Sequence, residues 1–510
     1  MYAQPAHGPR HPTAVRRASS TLLSLLGPAL AFALAACTPH QVTRAPAPPI
    51  DPPATYAGAS EAAAPVMPER WWTVFGDPAL DALVARALGG NFDLRAAWAR
   101  VAQVRALAGQ LDTRLPELSL AADVARSRSV SPPLTIDLPP GIDVDETSTA
   151  TRGSVSLQAG YEVDVWRRMG SQRAAMAQDL LAVRDDTAAI AMTIAAEVTV
   201  AWLDLRTAHA QAALVDEQLR LTQAQLELLE GRLRAGLGVT ALDIFQQRSL
   251  LAQLRAQRVQ ITSAEIAVRA RLAALVGVTP GELATELAAA PPSLPDVPPV
   301  PAVGVPADLL VRRPDVRAAR RRVEAADWRV ASAVADRLPT LRLSGSAGIA
   351  GFTVRQLIET PVYSVLASLT QPLFDSGRRK AKVAEQRAVV EERLAGYARA
   401  LVTAAIEVES ALAGERHAVE LAAELEAQRE LAAATVGVAL DRYRDGQIDY
   451  LPVLSAVQTE QRLGLAVLDA RRAHLALRVQ LYRALGGTWT AELAAPAPLP
   501  LRSSPRPEEK

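Results

Sequence analysis

The sequence predicts a mainly helical chain with a small β portion, built as two copies of one unit. Three observations lead there. Ala and Leu supply most of the apolar residues while only 4% of the 510 residues are aromatic, which favours long helices. Four short motifs recur in the same order along the chain. Within each copy the hydrophobic pattern switches from period 2 to a helical period at the same place.

The recurrences are specific. Arg114-Leu-Pro-Glu-Leu-Ser-Leu120 returns as Arg337-Leu-Pro-Thr-Leu-Arg-Leu343, and Ala196-Glu-Val198 as Ile406-Glu-Val408. Arg232-Leu-Arg-Ala-Gly236 returns as Arg442-Tyr-Arg-Asp-Gly446, and Leu275-Val-Gly-Val-Thr279 as Ala484-Leu-Gly-Gly-Thr488. The offsets lie between 209 and 223 residues. The two repeats are placed at 69–290 and 308–489, joined by the Pro-rich linker 291–307 and followed by a disordered tail, 490–510.

Taken in order, residues 78–113 read as helix and are stopped by Pro116. Strands follow at about 117–127 and 154–166. In the second, Val155, Leu157, Ala159, Tyr161, Val163 and Val165 alternate with polar residues or glycine, the mark of one apolar and one wet face. A Pro-free helix over 170–235 would reach roughly 100 Å. Val215, Leu219, Thr222, Leu226, Leu229 and Leu233 keep the 4-3-4-3-4 spacing of a coiled-coil seam. After a break at 236–240 the chain returns through helix 241–276. The second repeat predicts strands at about 340–350 and 361–373, a long helix over 377–443, and a return over 451–485.

The N-terminus has the features of a secretory leader, 1–36. Arg10, Arg16 and Arg17 precede a short apolar run, and Leu34-Ala35-Ala36 leads into Cys37, the single cysteine. This ending resembles the bacterial lipobox, which implies cleavage and acylation at Cys37. Thr38, rather than Asp, points to the outer membrane by the same resemblance. Several acyl chains would hold the protein to a membrane without a spanning helix. Residues 37–68 are expected to form an extended tether.

Four strands cannot close a membrane barrel, and an open edge in lipid leaves backbone groups unpaired. Two chains would give a barrel of about eight strands, filled by its own side chains. Three chains give twelve strands and room for a bore, so a homotrimer is expected.

Several motifs together resemble one family. They are Tyr161-Glu-Val-Asp-Val-Trp166, Leu309-Leu-Val-Arg-Arg-Pro-Asp315, Gln371-Pro-Leu-Phe-Asp-Ser-Gly377 and Leu481-Tyr-Arg-Ala-Leu-Gly-Gly-Thr-Trp489. With the lipobox, they resemble the TolC-like outer membrane factors, in particular the NodT-type lipoproteins of tripartite pumps. The resemblance implies a trimeric channel-tunnel with a twelve-stranded β-barrel in the outer membrane and a helical barrel crossing the periplasm. It further implies a periplasmic adaptor and an inner-membrane pump of the resistance-nodulation-division class as partners, with this chain as a passive exit for drugs or other small toxic molecules. No cofactor is expected beyond the lipid on Cys37.

By the same resemblance the periplasmic gate falls on Asp449, Leu451 and Ser455, with Leu242 and Asp243 as neighbours from the first repeat. Three-fold symmetry would make Asp449 a ring of carboxylates and Leu451 a dry ring. Ser455 departs from the acidic residue common there, which puts a second carboxylate ring in question, and Pro452 could stiffen the turn. The bland alternative is that Asp449 caps its helix and Leu451 packs within one chain. The turns Gly236-Leu237 and Gly446-Gln447 are the expected adaptor contacts, although glycine there also ends a helix. The Arg-rich runs 317–322 and 378–382 read as solvated helix faces, and Trp71-Trp72 as an anchor for the tether.

A net charge of +1 excludes a general grip on nucleic acid. One cysteine excludes a disulfide framework. His209, His417 and His474 stand singly without metal-ligand spacing, and no phosphate loop or catalytic triad motif occurs, so no enzyme is expected. Two rivals remain at this stage: a duct for type I protein secretion, and a non-conducting periplasmic scaffold.

Overall fold

The computed structural model describes residues 40–43, 46–51, 54–56, 66–111, 115–130, 147–288, 293–353, 355–356 and 361–496. The leader, Cys37 and the end of the tail from residue 497 lie outside the described residues. The chain divides into two compact units. One comprises 1–44, 108–177 and 324–391; the other comprises 45–107, 178–323 and 392–510.

The first unit is built on a four-stranded antiparallel sheet in the order β1-β2-β3-β4. Its strands are β1 (Glu117–Val130), β2 (Thr147–Val163), β3 (Thr340–Gly351) and β4 (Pro361–Thr370). The register aligns the apolar positions of all four. Leu120 faces Leu157, Leu157 faces Ala347, and Ala347 faces Tyr363. Because side chains alternate between faces, Leu118, Leu120 and Val124 share a face with Val155, Leu157, Leu343, Ile349, Val365 and Leu369. The opposite face carries Ser119, Asp123, Ser156, Gln158, Ser346 and Ser364, and the hydroxyls of Ser346 and Ser364 meet at 2.8 Å. Leu120 is 74% exposed and Val365 89%, so this apolar face is uncovered within one chain.

Two strands stop earlier than the alternation predicts. β2 ends at Val163 instead of Trp166 because the Asp164 carboxylate accepts from the backbone N–H groups of Met169 and Gly170 and so caps the next helix. The Trp166 indole then donates to the Pro339 carbonyl at 2.8 Å. β4 ends at Thr370 instead of 373, with Pro372, which has no N–H to offer a ladder, two residues on.

The second unit is helical. The lead-in region of the first repeat is two helices, α1 (Pro78–Gly90) and α2 (Phe92–Gln110), where the sequence predicted one. Asn91 breaks it: its ψ of 130° leaves the helical region, and its side-chain oxygen accepts from the N–H groups of Asp93 and Leu94. The long helix α3 (Arg168–Arg234) starts in the sheet unit, and from Ala191 onward its buried side chains share core clusters with α4 (Ala241–Val276). Of the predicted seam, Val215, Thr222, Leu226 and Leu229 are buried, Leu219 half-buried and Leu233 exposed. Alone among the described helices, α3 contains a stretch apolar enough to cross a membrane, and 67% of that stretch is buried inside the protein. Its apolarity therefore serves the core.

After α5 (Pro280–Ala288) the second repeat begins with α6 (Leu309–Arg312) and α7 (Pro314–Ala335), and continues as α8 (Arg378–Arg444) and α9 (Tyr450–Leu485). Two conspicuous sequence motifs pack on each other here. The Arg313 guanidinium forks onto Asp315, bonds Glu407 at 2.6 Å and donates to the Ala484 carbonyl at 3.1 Å. Gly486 sits at φ 80°, and a Cβ there would meet the Arg312 carbonyl oxygen at 2.7 Å. That position requires glycine on both counts.

Three expectations are corrected. The tether is not simply extended: His40 and the Thr43 N–H bond Asp327, and Tyr56 is buried against Leu309 and Tyr397, which pushes its phenol up to about 12. The chain is ordered past 490, since Trp489–Glu492 forms a 3-10 turn with Thr490 buried and Trp489 edge-on to Trp72. Arg317 and Arg321 are not a solvated face, because both bond Asp185, as Arg322 does Asp186. Trp71 stacks on Tyr482 inside the core.

Candidate functional site

The two turns that reverse the long helices are built alike. In each, the glycine takes a left-handed conformation, φ 71° at Gly236 and 73° at Gly446. The Gly236 N–H bonds the Leu233 carbonyl and Leu237 bonds Arg232; Gly446 bonds Tyr443 and Gln447 bonds Arg442. These are the paired bonds of a Schellman motif, which satisfies carbonyls that a helix end leaves free. Leu237 and Gln447 point outward, and Leu237 is 58% exposed.

The returning helices start differently. In repeat one Thr240 is the N-cap of α4 and forms a full capping box with Asp243. The Asp243 carboxylate accepts from both the Thr240 N–H and its hydroxyl, at 2.8 and 2.9 Å. In repeat two Asp449 is the N-cap of α9 but makes no side-chain capping bond. Pro452 occupies the place that Asp243 holds in repeat one and offers neither a carboxylate nor an N–H. Asp449 is exposed and its carboxylate has no bonding partner among the described residues, whereas that of Asp243 is engaged.

Counting from each N-cap, Leu242 and Leu451 fall on the same helical position. They are 63% and 58% exposed, so neither packs into the core of its own chain. Ser455, one turn beyond Leu451, is exposed on the same face. Asp449, Leu451 and Ser455 are thus presented outward at one end of α9, and Leu242 is presented in the matching way on α4.

Behind this face lies a buried polar cluster that the sequence reading missed. Tyr450 is buried, and its hydroxyl donates to Gln247 at 2.7 Å. The Gln247 amide donates to the Thr222 carbonyl at 2.9 Å, and the Gln461 amide to the Thr222 hydroxyl at 3.4 Å. Burial pushes the Tyr450 phenol well above its usual range, so it remains a donor. Tyr443 meets Tyr450 edge-on at 5.3 Å and lies under the Arg232 guanidinium. The available signal was Thr222, a polar residue set in a leucine seam. These bonds tie the first turn of α9 to α3 and α4, so the outward residues sit on a fixed support.

The chain matches the outer membrane efflux protein family over residues 83–278 and 305–487, two blocks that leave out most of the Pro-rich linker. It is 32% identical over 482 residues to the pyoverdine export outer membrane protein OpmQ of Pseudomonas putida, covering 91% of this chain and 97% of that one. It is 30% identical over 429 residues to the toluene efflux pump outer membrane protein TtgF of Pseudomonas putida, covering 82% and 85%. The solved outer-membrane channel OprN superposes with a TM-score of 0.80 at 28% identity, over 89% of this chain and 100% of that chain. With a sheet that is apolar on one face and a duplicated set of long helices, the chain belongs to the outer membrane efflux protein family, whose members are channels that lie in the outer membrane and extend into the periplasm.

Proposed function

We propose that three copies of the chain close a twelve-stranded barrel and form the passive exit duct of a tripartite pump for small molecules. The observation that carries this reading is the sheet: its apolar face is continuous across both repeats, and β1 and β4 are edges with no partner among the described residues. In lipid such edges would cost several kcal/mol per unpaired group, so they must find strands elsewhere. Joining β4 of one copy to β1 of the next closes the ring, turns the apolar face to lipid and leaves the serine-rich face to line a bore.

In this reading Leu451 forms the dry constriction, Asp449 a carboxylate ring beside it, and Leu242 its neighbour. The turns at Gly236-Leu237 and Gly446-Gln447 receive a periplasmic adaptor that links the duct to an inner-membrane pump. Acyl chains on Cys37 add a second hold on the outer membrane. Relatives that export pyoverdine and toluene favour small molecules as the cargo. Energy comes from the pump.

Native mass measurement in detergent and planar-bilayer recording of the purified protein test the reading together. Three subunits and a discrete conductance are expected; a lone chain that conducts nothing would return the scaffold alternative. Leu451→Ser should raise the closed-state conductance severalfold. An unchanged conductance in that variant would remove Leu451 from the gate.

A further inference from the structure

A cavity of about 590 Å³ lies between α4 and α9, on the face that carries Leu451 and Ser455. Ser455 lines it, and Gln458 and Arg462 continue the same helical stripe at spacings of three and four residues. The facing helix contributes Gln253 and Gln257.

The lining is rich in uncommitted donors. Arg462 is exposed and has no ion pair or side-chain hydrogen bond among the described residues. The amides of Gln253, Gln257 and Gln458 likewise have no protein partner there. Each amide offers two N–H donors, and the guanidinium five in a planar fork. Asp469 is the single carboxylate of the lining, and it is already engaged: its Oδ1 accepts from Gln211 at 2.7 Å, and burial pushes its carboxyl up. It lies seven residues from Arg462, about 10 Å along the helix.

An exposed cation among amide donors, with the one carboxylate of the lining two turns away, suits an oxyanion that accepts several N–H bonds at once. A cavity of this volume also exceeds what a single water or chloride would need. We propose that the α4–α9 cavity is a binding site for organic polycarboxylate anions, with Arg462 as its charged anchor and Gln253, Gln257 and Gln458 as its neutral donors. The site belongs to one chain. That a bound anion lies in the path of the exported solute rests on the duct reading given above.

Equilibrium dialysis of the purified full-length protein in detergent against labelled citrate tests it directly. Saturable binding is expected for the unmodified protein, weakened about tenfold or more in Arg462→Gln. Arg462→Lys, which keeps the charge without the fork, should lose less, and Asp469→Asn should bind more tightly. Arg471→Gln, on the same helix but outside the cavity, should bind as the unmodified protein does. Absence of saturable binding, or equal binding by Arg462→Gln with its helical signal intact, overturns the site. Should Arg462→Gln fail to fold, equal binding by Gln458→Ala and Arg462→Lys overturns it instead. In bilayers, citrate should block the current of the unmodified protein and not that of Arg462→Gln. Citrate binding without any conductance would leave the site standing and remove the duct.

Discussion

The two turns end their helices with the same pair of backbone bonds and begin the next helices with different side chains. In repeat one Thr240 and Asp243 satisfy each other and the helix start. In repeat two Pro452 stands where the box needs its acid, and the Asp449 carboxylate bonds nothing at the helix start. One end of the duplicated chain is stabilised locally, while the other leaves the Asp449 carboxylate without a capping bond at the position proposed for the gate. The stability missing from the second cap is supplied from behind, where Tyr450, Gln247, Thr222 and Gln461 tie α9 to the first repeat. Duplication has therefore kept the turn and divided the labour between its copies.

The sheet shows the opposite case, in which both repeats carry one face equally, and it offers the largest test. Leu120→Arg in repeat one and Val365→Arg in repeat two should each cost about 2–4 kcal/mol if they lie near the bilayer midplane. Ser364→Arg, on the polar face next to Val365, should cost far less. Equilibrium folding into lipid vesicles measures all three. Equal costs on the two faces would mean that the sheet does not separate lipid from water.

The lead-in helices come next. Repeat one fastens its lead-in through Arg206 and Asp77, which meet at 2.6 Å. Repeat two reverses the sense, with Arg313 on the lead-in and Glu407 on the long helix. Arg313→Ala should cost about 3 kcal/mol, the low end for a broken buried pair because Asp315 is partly exposed. Burial raises the Asp315 carboxyl, but the Arg313 fork outweighs it and holds the group below its ordinary range. The contribution is therefore complete above about pH 4 and fades as the pH falls through the lower folded-state value. Unfolding followed by helical circular dichroism at pH 7 and pH 3 should show the variant's deficit shrinking at the lower pH.

The caps themselves test the contrast at smaller scale. Thr240→Ala should cost about 1 kcal/mol, since it removes the acceptor for the Asp243 N–H and breaks the box. Asp449→Ala should change stability by no more than a few tenths. If the two variants lost equal stability, Asp449 would be an ordinary cap, and the proposal of a free carboxylate at a gate would have to be abandoned.

Much of this architecture was readable because period and duplication are written over many residues. The ends of α3, α4, α8 and α9 fall within two residues of their sequence placement, because each is bounded by glycine, an N-cap or a change of period. The misses have local causes. Asn91 interrupts a helical run without a proline, and only the preceding Gly89-Gly90 hinted at it. Asp164 still fits the polar slot of a two-residue alternation while its carboxylate caps the next helix. The cluster around Thr222 was hidden because glutamine ordinarily marks a wet surface, and its burial depends on a partner more than two hundred residues away. The outward positions of Leu451 and Asp449 could be assigned only through resemblance, since helical periodicity alone does not say which exposed face will meet another copy.

The smallest effect concerns the strand-to-helix junctions, where the repeats again coincide. Arg167 and Ser376 both adopt left-handed backbone conformations, at φ 58° and 55°, and stand 209 residues apart. A side chain in that region costs about 1 kcal/mol or somewhat more relative to glycine. Replacing it with glycine also frees the unfolded chain, which offsets part of the gain. Arg167→Gly and Ser376→Gly should therefore each stabilise the fold by about half a kcal/mol, read as a small upward shift in the unfolding midpoint. Because neighbouring caps fix both turns, through Asp164 on Met169 and Gly170 in one and Asp375 on Gly377 and Arg379 in the other, the two gains should match. A loss at Arg167 with a gain at Ser376 would show that the Arg167 side chain makes a stabilising contact which the shared backbone geometry does not require, and that the repeats have diverged at this junction as they have at the turns.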